Sequence, residues 1–199
     1  MERFNKLQAS LISKILKHAL LLLLSPLHLF SFLFPRNRKL WLFGSWDGSV
    51  FLDNAKYLFL YASNRNKDSD SVIPIWLSRN GNIVEELDKR GYRSYHMYSL
   101  RGLYYSLRAK YIIIDHEGIG TKYPVNLCLS GGAVIFQLFH GVAFKKIGYN
   151  IVPKSKIMKN LAILRKNFLP WLRSYSWVIS TSDFHVPIYA SAFGVQKRR

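Results

Sequence analysis

The chain alternates between short apolar runs and amphipathic stretches, and this alternation limits what it can fold into. The apolar runs, rich in Ile, Val and aromatic residues, are expected to be strands at 40–43, 72–77, 92–96, 111–115, 134–139 and 177–181. The amphipathic stretches are expected to be helices at 54–63, 83–90, 100–109, 154–173 and 185–193. Strands that are apolar throughout and separated by helices are typical of parallel strands buried on both faces. The sequence therefore predicts a doubly wound parallel α/β sheet.

The residues that precede this alternation predict a separate N-terminal segment, 1–38, followed by one α/β domain at 39–199. The stretch from Leu11 to Phe34 is largely apolar, but Lys14, Lys17 and Pro26 interrupt it. A bilayer-spanning helix needs about 20 consecutive apolar residues, so an amphipathic or re-entrant membrane anchor is the favoured interpretation. A spanning helix and a buried or cleaved segment are the alternatives.

Basic residues outnumber acidic ones throughout the chain, with 29 Lys plus Arg against 11 Asp plus Glu and a formal charge of +18. A positive surface potential attracts polyanions, and no acidic residue occurs between Glu117 and Asp183. Together with the apolar N-terminus, this favours an anionic membrane surface as partner and the cytoplasmic face of the membrane as location. The basic residues expected to contact that membrane are Lys14, Lys17, Arg36, Arg38, Lys39, Lys159 and Lys166. An ordinary solvated helix face is the alternative for the last two.

Ligands of open α/β sheets bind beyond the carboxyl ends of the strands. Four loops qualify: 44–48, the segment after 115–118, 140–141 and 180–183. None matches a glycine-rich nucleotide fingerprint, and no Cys/His cluster has zinc spacing, so neither a cofactor nor a metal is expected. The single cysteine, Cys128, excludes an intramolecular disulfide framework.

His140 is the candidate for chemistry, because it follows an apolar strand directly and precedes Gly141 and the pair Lys145 and Lys146. A histidine can act as general base on a hydroxyl near neutral pH, since its ordinary pKa lies close to that pH. Glycine lets a substrate approach the backbone, and lysines can bind phosphate oxygens. A turn or packing role for His140 is the alternative that spacing alone leaves open.

Three stretches, 44–59, 136–148 and 177–182, resemble the CDP-glycerol glycerophosphotransferase family of teichoic-acid-type polymerases. The resemblance implies a peripheral membrane enzyme of the two-domain glycosyltransferase B type, of which this chain would be the Rossmann-like acceptor domain. It implies transfer of a polyol phosphate from a CDP-polyol to a hydroxyl of a lipid-linked polyol-phosphate or glycolipid acceptor. His140 corresponds to the histidine proposed as the catalytic base, preceded here by Phe139 where the family usually has Trp.

The same resemblance suggests substrate contacts for the residues of two of these stretches, namely Asp47, Asn54, Gly141, Lys145 and Lys146. A helix-capping role for Asp53 or Asn54 is the alternative at the start of the first predicted helix. Asp115 and His116 lie at another strand end, where a loop-stabilising role is expected.

The family's second domain, which binds most of the CDP-polyol donor, would begin beyond Gly194–Arg199. The chain alone is therefore expected to be inactive. A sugar-nucleotide glycosyltransferase of the same fold and a noncatalytic membrane adaptor that binds polyanions are the competing functions. Charge of this size also binds nucleic acid nonspecifically, but no nucleic-acid motif is recognisable, so no specific nucleic-acid partner is expected.

Overall fold

The computed structural model describes residues 16, 19, 22–65, 72–116, 126, 128–139, 141–142, 145–152, 156–157, 159–160, 162–163 and 175–196. Its strands are β1 (Asn37–Gly44), β2 (Ile73–Ser78), β3 (Ser94–His96), β4 (Ala109–Ile114), β5 (Val134–Gln137) and β6 (Trp177–Val178). Its helices are α1 (Ser25–Ser31), α2 (Asp53–Arg65), α3 (Gly81–Lys89), α4 (Leu100–Arg108) and α5 (Val186–Phe193). Short 3-10 helices lie at Trp46–Gly48 and Gly148–Asn150.

All the strand pairs are parallel, and the sheet has the order β3-β2-β1-β4-β5-β6. Alternate side chains of each strand face opposite sides, so one strand contributes to two cores. Leu40 and Leu42 of β1 belong to the core beneath α1, α4 and α5, whereas Phe43 packs with Phe59 of α2 on the other face. Helices on both faces make this the predicted doubly wound parallel α/β sheet.

The predicted strands and helices agree with the structure in order and position, and the differences lie at their ends. β5 stops at Gln137 rather than at 139, because Phe139 has a φ of +56°, which a strand residue does not adopt. β1 begins at Asn37, slightly before the predicted domain boundary at 39. Of the predicted helix 154–173, residues 156–157, 159–160 and 162–163 are helical, and most of the others lie outside the described residues.

Side-chain caps fix the helix starts on the carboxyl side of the sheet. The Ser99 side chain accepts a hydrogen bond from the backbone N–H of Gly102 in the first turn of α4. Asn80 caps α3 in the same way, accepting from the N–H of Asn82. Gly91 follows this helix with a φ of +78°, a conformation that glycine adopts without strain.

Arg36 connects the N-terminal segment to the amino edge of the sheet. Its guanidinium donates to five backbone carbonyls, those of Ser31 at the end of α1, Ser106 and Ala109 at the end of α4, and Leu129 and Gly131 before β5. Carbonyls in the last turn of a helix have no partner within the helix, and a cation there also interacts favourably with the helix dipole. Arg36 therefore has a structural role, in which it joins three segments by hydrogen bonds to their carbonyl groups.

Burial and the neighbouring Arg108 lower the pKa of Arg36 to about 10, which still leaves its guanidinium charged at neutral pH. Its donors are used by the protein itself, and this geometry favours an internal role over the membrane contact that the sequence suggested. Arg38 and Lys39, its neighbours along the chain, are exposed.

Replacing Arg36 by lysine should destabilise the fold, because one ammonium group with three donors cannot reach five carbonyls spread over three segments. We expect Arg36→Lys to lower the free energy of unfolding in urea by about 1–3 kcal/mol, the usual cost of buried polar groups left without a partner. Arg38→Lys, an identical change at an exposed site, should stay within about 0.5 kcal/mol of the parent chain. Equal losses in the two variants would contradict the internal role of Arg36.

Candidate active site

The sheet order reverses between β1 and β4, which are neighbours although the chain reaches β2 and β3 first. In open α/β sheets the loops that leave such a pair of strands diverge to opposite faces and open a crevice for ligands. Here the crevice lies between the loop 44–48 after β1 and residues 115–116 after β4. One of the four loops predicted to be functional, 44–48, therefore borders this crevice, and the segment predicted after 115–118 begins outside the described residues.

Asp115 connects the two sides of this crevice. Its carboxylate has no exposed surface; one oxygen accepts from the Ser45 hydroxyl at 2.7 Å and the other from the backbone N–H of Ala55 at 3.0 Å. The second bond satisfies a donor in the first turn of α2, where a negative charge is also favoured by the helix dipole. Asp115 thus has the loop-stabilising role expected for it and joins β1, β4 and α2.

The loop after β1 is held on its other side by β2. The carbonyl of Gly48 accepts from the Ser78 hydroxyl at 2.7 Å and from the N–H of Arg79 at 2.8 Å. Gly48 has a φ of +77°, and a Cβ there would lie 3.1 Å from the Met97 sulfur, so this turn requires glycine. Asp47 precedes it with a φ of +56° and is 9% exposed. This candidate substrate-binding residue therefore lies in a strained, largely buried turn at the edge of the crevice.

Asn54 reaches from α2 to the end of β5. Its side-chain amide donates to the carbonyl of Phe139 at 2.7 Å, across 85 positions of sequence. The backbone N–H of Phe139 donates to the Gln137 side chain at 3.1 Å. Asn54 therefore contacts the residue directly before the candidate base, a tertiary contact that was expected neither from capping nor from substrate binding. His140 itself lies outside the described residues.

Several described residues that follow His140 contact α5. Gly141 is exposed, and its carbonyl accepts from the Tyr189 hydroxyl at 2.9 Å. Lys145 and Lys146 are both exposed, as residues that bind a charged ligand from solvent must be. The segment then enters the core at Gly148, where a Cβ would lie 2.1 Å from the carbonyl oxygen of Ala192. The structure thus places Asn54 against the Phe139 carbonyl and Tyr189 against the Gly141 carbonyl.

The candidate membrane contacts are divided between described and undescribed residues. Arg38, Lys39 and Lys159 are exposed. Lys14, Lys17 and Lys166 lie outside the described residues. Within the described part of the chain, no helix is both long enough and apolar enough to cross a bilayer.

The described residues contain no cluster of three His, Cys, Asp or Glu side chains that could bind a metal ion. Burial raises the pKa of the Cys128 thiol to about 12, so this buried cysteine is protonated at neutral pH and is a poor nucleophile.

Two residues at this site were not singled out from the sequence. Gln137 offered a signal, since it is the one strongly polar side chain in the otherwise apolar run 134–139. Tyr189 offered none, because an aromatic residue on a predicted helix is ordinarily a core residue.

A model of the family described as CDP-Glycerol:Poly(glycerophosphate) glycerophosphotransferase matches residues 27–199. The chain belongs to this family. The match confirms the resemblance inferred from the three sequence stretches, and it covers both the crevice and the His140 loop.

Two teichoic acid poly(glycerol phosphate) polymerases are similar to this glycerophosphotransferase-family chain. That of Bacillus spizizenii is 27% identical over 167 residues, which are 83% of this chain and 40% of the relative. That of Bacillus subtilis is 20% identical over 163 residues, which are 82% of this chain and 21% of the relative. The chain thus spans less than half the length of either relative.

Solved structures of the wall teichoic acid polymerase TagF share the fold of this family member. One superposes with a TM-score of 0.60 at 16% sequence identity and covers 94% of this chain and 45% of TagF. A second TagF structure, with CDPG, also gives a TM-score of 0.60, and this chain covers 46% of it. The parallel α/β sheet of this chain therefore resembles the fold of part of TagF.

The carboxylate of Asp115 should be needed for the stability of the crevice. Asp115→Asn replaces one acceptor oxygen by an NH₂ group that faces a donor, so we expect a loss of about 1–3 kcal/mol in the free energy of unfolding, measured in urea. Asp88→Asn, the same change at an exposed position of α3, is the control and should stay within about 0.5 kcal/mol of the parent. An Asp115→Asn variant as stable as this control would show that the two hydrogen bonds contribute little.

Proposed function

We propose that this chain is the acceptor-side part of an enzyme that transfers glycerol phosphate, or a related polyol phosphate, from a CDP-polyol to a lipid-linked acceptor. The product would be a teichoic-acid-type surface polymer. The observation that carries the proposal is the family match over 27–199, which includes the crevice between β1 and β4 and the loop that contains His140.

The reaction needs a base and positive charge, and the candidate residues are of these types. The acceptor hydroxyl oxygen bonds to the β-phosphorus of the donor, the bond from that phosphorus to the bridging oxygen breaks, and CMP leaves. His140 would take the hydroxyl proton as the new bond forms. Lys145 and Lys146 are exposed just after it and would stabilise negative charge on the transferred phosphate.

We assign most of the CDP-polyol site to residues outside this chain. The length of the relatives supports this assignment, because the chain matches 40% of the Bacillus spizizenii polymerase and 45% of a TagF structure. A nucleotide-binding second domain would close over the crevice and complete the site. The chain would then contribute the general base that deprotonates the acceptor hydroxyl, and the second domain would bind the leaving CMP.

Replacing His140 tests the proposed chemistry in a protein that joins this chain to a CDP-binding domain. General base catalysis contributes about 10²–10⁴-fold, so His140→Ala should lower the rate of CMP release from CDP-glycerol by that order. His96→Ala, at the end of β3 on the far edge of the sheet, is the matched control and should stay within about twofold of the parent.

The same assay tests whether the base belongs to this chain and the CDP-polyol site to the second domain. The isolated 199-residue chain should release no CMP above background with a lipid-linked acceptor. Full activity in His140→Ala would refute the role of His140 as base, and turnover by the isolated chain would refute the assignment of the donor site.

We further propose that the N-terminal part of the chain binds the cytoplasmic membrane surface. The support is an apolar patch around α1 whose side chains point to solvent: Leu23 (76% exposed), Leu29 (69%), Phe30 (52%), Phe32 (57%) and Leu33 (75%). Exposed apolar patches mark protein or membrane contacts, and the exposed cations Arg38 and Lys39 follow this one directly. Apolar side chains beside basic ones are typical of helices that lie in a membrane interface.

Substituting one leucine of the apolar patch should weaken membrane binding. Full burial of a leucine side chain stabilises by about 1.5–3 kcal/mol, so Leu29→Ser should reduce partitioning into anionic phospholipid vesicles by at least about tenfold in a flotation assay. Leu100→Ser is the control, since Leu100 is 89% exposed at the start of α4 on the opposite edge of the sheet. Equal flotation of the two variants would contradict the proposed membrane surface.

A further inference from the structure

We propose that Asn54 and Tyr189 are positioning residues that hold the backbone on either side of His140. This inference rests on the proposed function, in which His140 is the base, and it adds two residues that act through that histidine. Asn54 donates to the carbonyl one residue before His140, and Tyr189 donates to the carbonyl one residue after it, at 2.7 Å and 2.9 Å.

The backbone before His140 is strained and held by several contacts. Phe139 has a φ of +56°, a conformation that costs a residue with a side chain about 1–2 kcal/mol. Its N–H donates to Gln137, its carbonyl accepts from Asn54, and its ring is buried 5.0 Å from the ring of Tyr189. Strained residues persist where the surroundings over-determine them, and they concentrate at functional sites.

The backbone after His140 is restrained at Gly141 by a hydrogen bond from Tyr189. Gly141 is exposed, and among the described residues no atom lies within 4 Å of the position of an added Cβ. Its carbonyl accepts from the Tyr189 hydroxyl. Tyr189 is 5% exposed within α5, a rigid element that also packs against the segment at Gly148. The Tyr189 hydroxyl therefore connects the exposed Gly141 to the core.

Holding these two carbonyls restricts the backbone of His140. A peptide unit is planar, so fixing the Phe139 carbonyl also fixes the N–H of His140 in the same plane. When the Gly141 carbonyl is also held, only a few φ and ψ angles between the Phe139 and Gly141 carbonyls remain free to rotate. A general base works only within hydrogen-bond reach of its proton, and a misplacement of about 1 Å can cost about 10²-fold in rate. Asn54 and Tyr189 would supply this restraint without touching substrate.

The alternative is that both bonds only stabilise the fold, and a double-mutant cycle with His140 separates the two roles. In the protein that joins this chain to a CDP-binding domain, we would measure kcat and KM for CDP-glycerol in Asn54→Ala and Tyr189→Phe. Both variants should lower kcat by about tenfold or more, with KM for CDP-glycerol within about twofold. Tyr189→Phe retains the ring and removes only the hydroxyl, so the core contact with Phe139 is kept.

The same two substitutions are then made in the His140→Ala background. Residues that act through His140 should have no further effect on the residual rate there. Asn80→Ala and Tyr104→Phe are the controls, a lost helix cap on α3 and a lost hydroxyl on a tyrosine that is 54% exposed. Both controls should leave kcat within about twofold of the parent.

A second measurement uses the 199-residue chain itself and does not depend on turnover. The ring C–H signals of His140, assigned by their loss in His140→Ala, should shift in NMR spectra of Asn54→Ala and Tyr189→Phe but not of Asn80→Ala. Equal rate losses in both backgrounds, or unchanged His140 signals, would overturn the positioning role. A His140→Ala variant with full activity would instead overturn the proposed function, so the two failures are distinguishable.

Discussion

The carboxyl edge of the sheet depends on the buried carboxylate of Asp115. A charged group without exposed surface is tolerated only where hydrogen bonds replace its water, and Asp115 accepts from Ser45 and from the N–H of Ala55. Ala55 directly follows Asn54, so the bond that fixes the first turn of α2 also fixes the residue that holds the Phe139 carbonyl. One buried carboxylate therefore links β1, β4 and α2 directly, and reaches the end of β5 through Asn54.

Side chains of opposite charge pair with the helix ends at the two edges of the sheet. At the amino edge, carbonyls at the end of α4 have no partner within the helix, and the cation Arg36 donates to them. At the carboxyl edge, an N–H group in the first turn of α2 has no partner within the helix, and the anion Asp115 accepts from it. Each charge has the sign that the helix dipole favours. This arrangement leaves the exposed cations Lys145 and Lys146 near the His140 loop and Arg38 and Lys39 near the apolar patch. The charges used for folding and those exposed to solvent are therefore different residues.

The periodicity of the sequence was sufficient to predict the strands, because parallel strands buried on both faces are apolar throughout their length. It could not predict where β5 ends, since Phe139 continues the apolar run and its positive φ depends on tertiary contacts, among them those with Gln137, Asn54 and Tyr189. It also grouped Arg36 with Arg38 as a surface cation, because charge along a sequence does not reveal which arginine meets five carbonyls from distant segments. Asn54 was predicted to contact substrate, but its observed contact lies 85 positions away and has no local signature.

The sequence by itself determined the class of fold, the loops that form the crevice and the family, because these follow from hydrophobic periodicity and short contiguous motifs. The tertiary structure alone decided which side chains meet at those loops. Asp115 with Ser45, Asn54 with Phe139 and Tyr189 with Gly141 are pairs separated by 70, 85 and 48 positions. Hydrogen bonds between such residues depend on how the strands are ordered in the sheet and how the helices pack on it. That order places β1 beside β4, and no local pattern of residues encodes this neighbourhood.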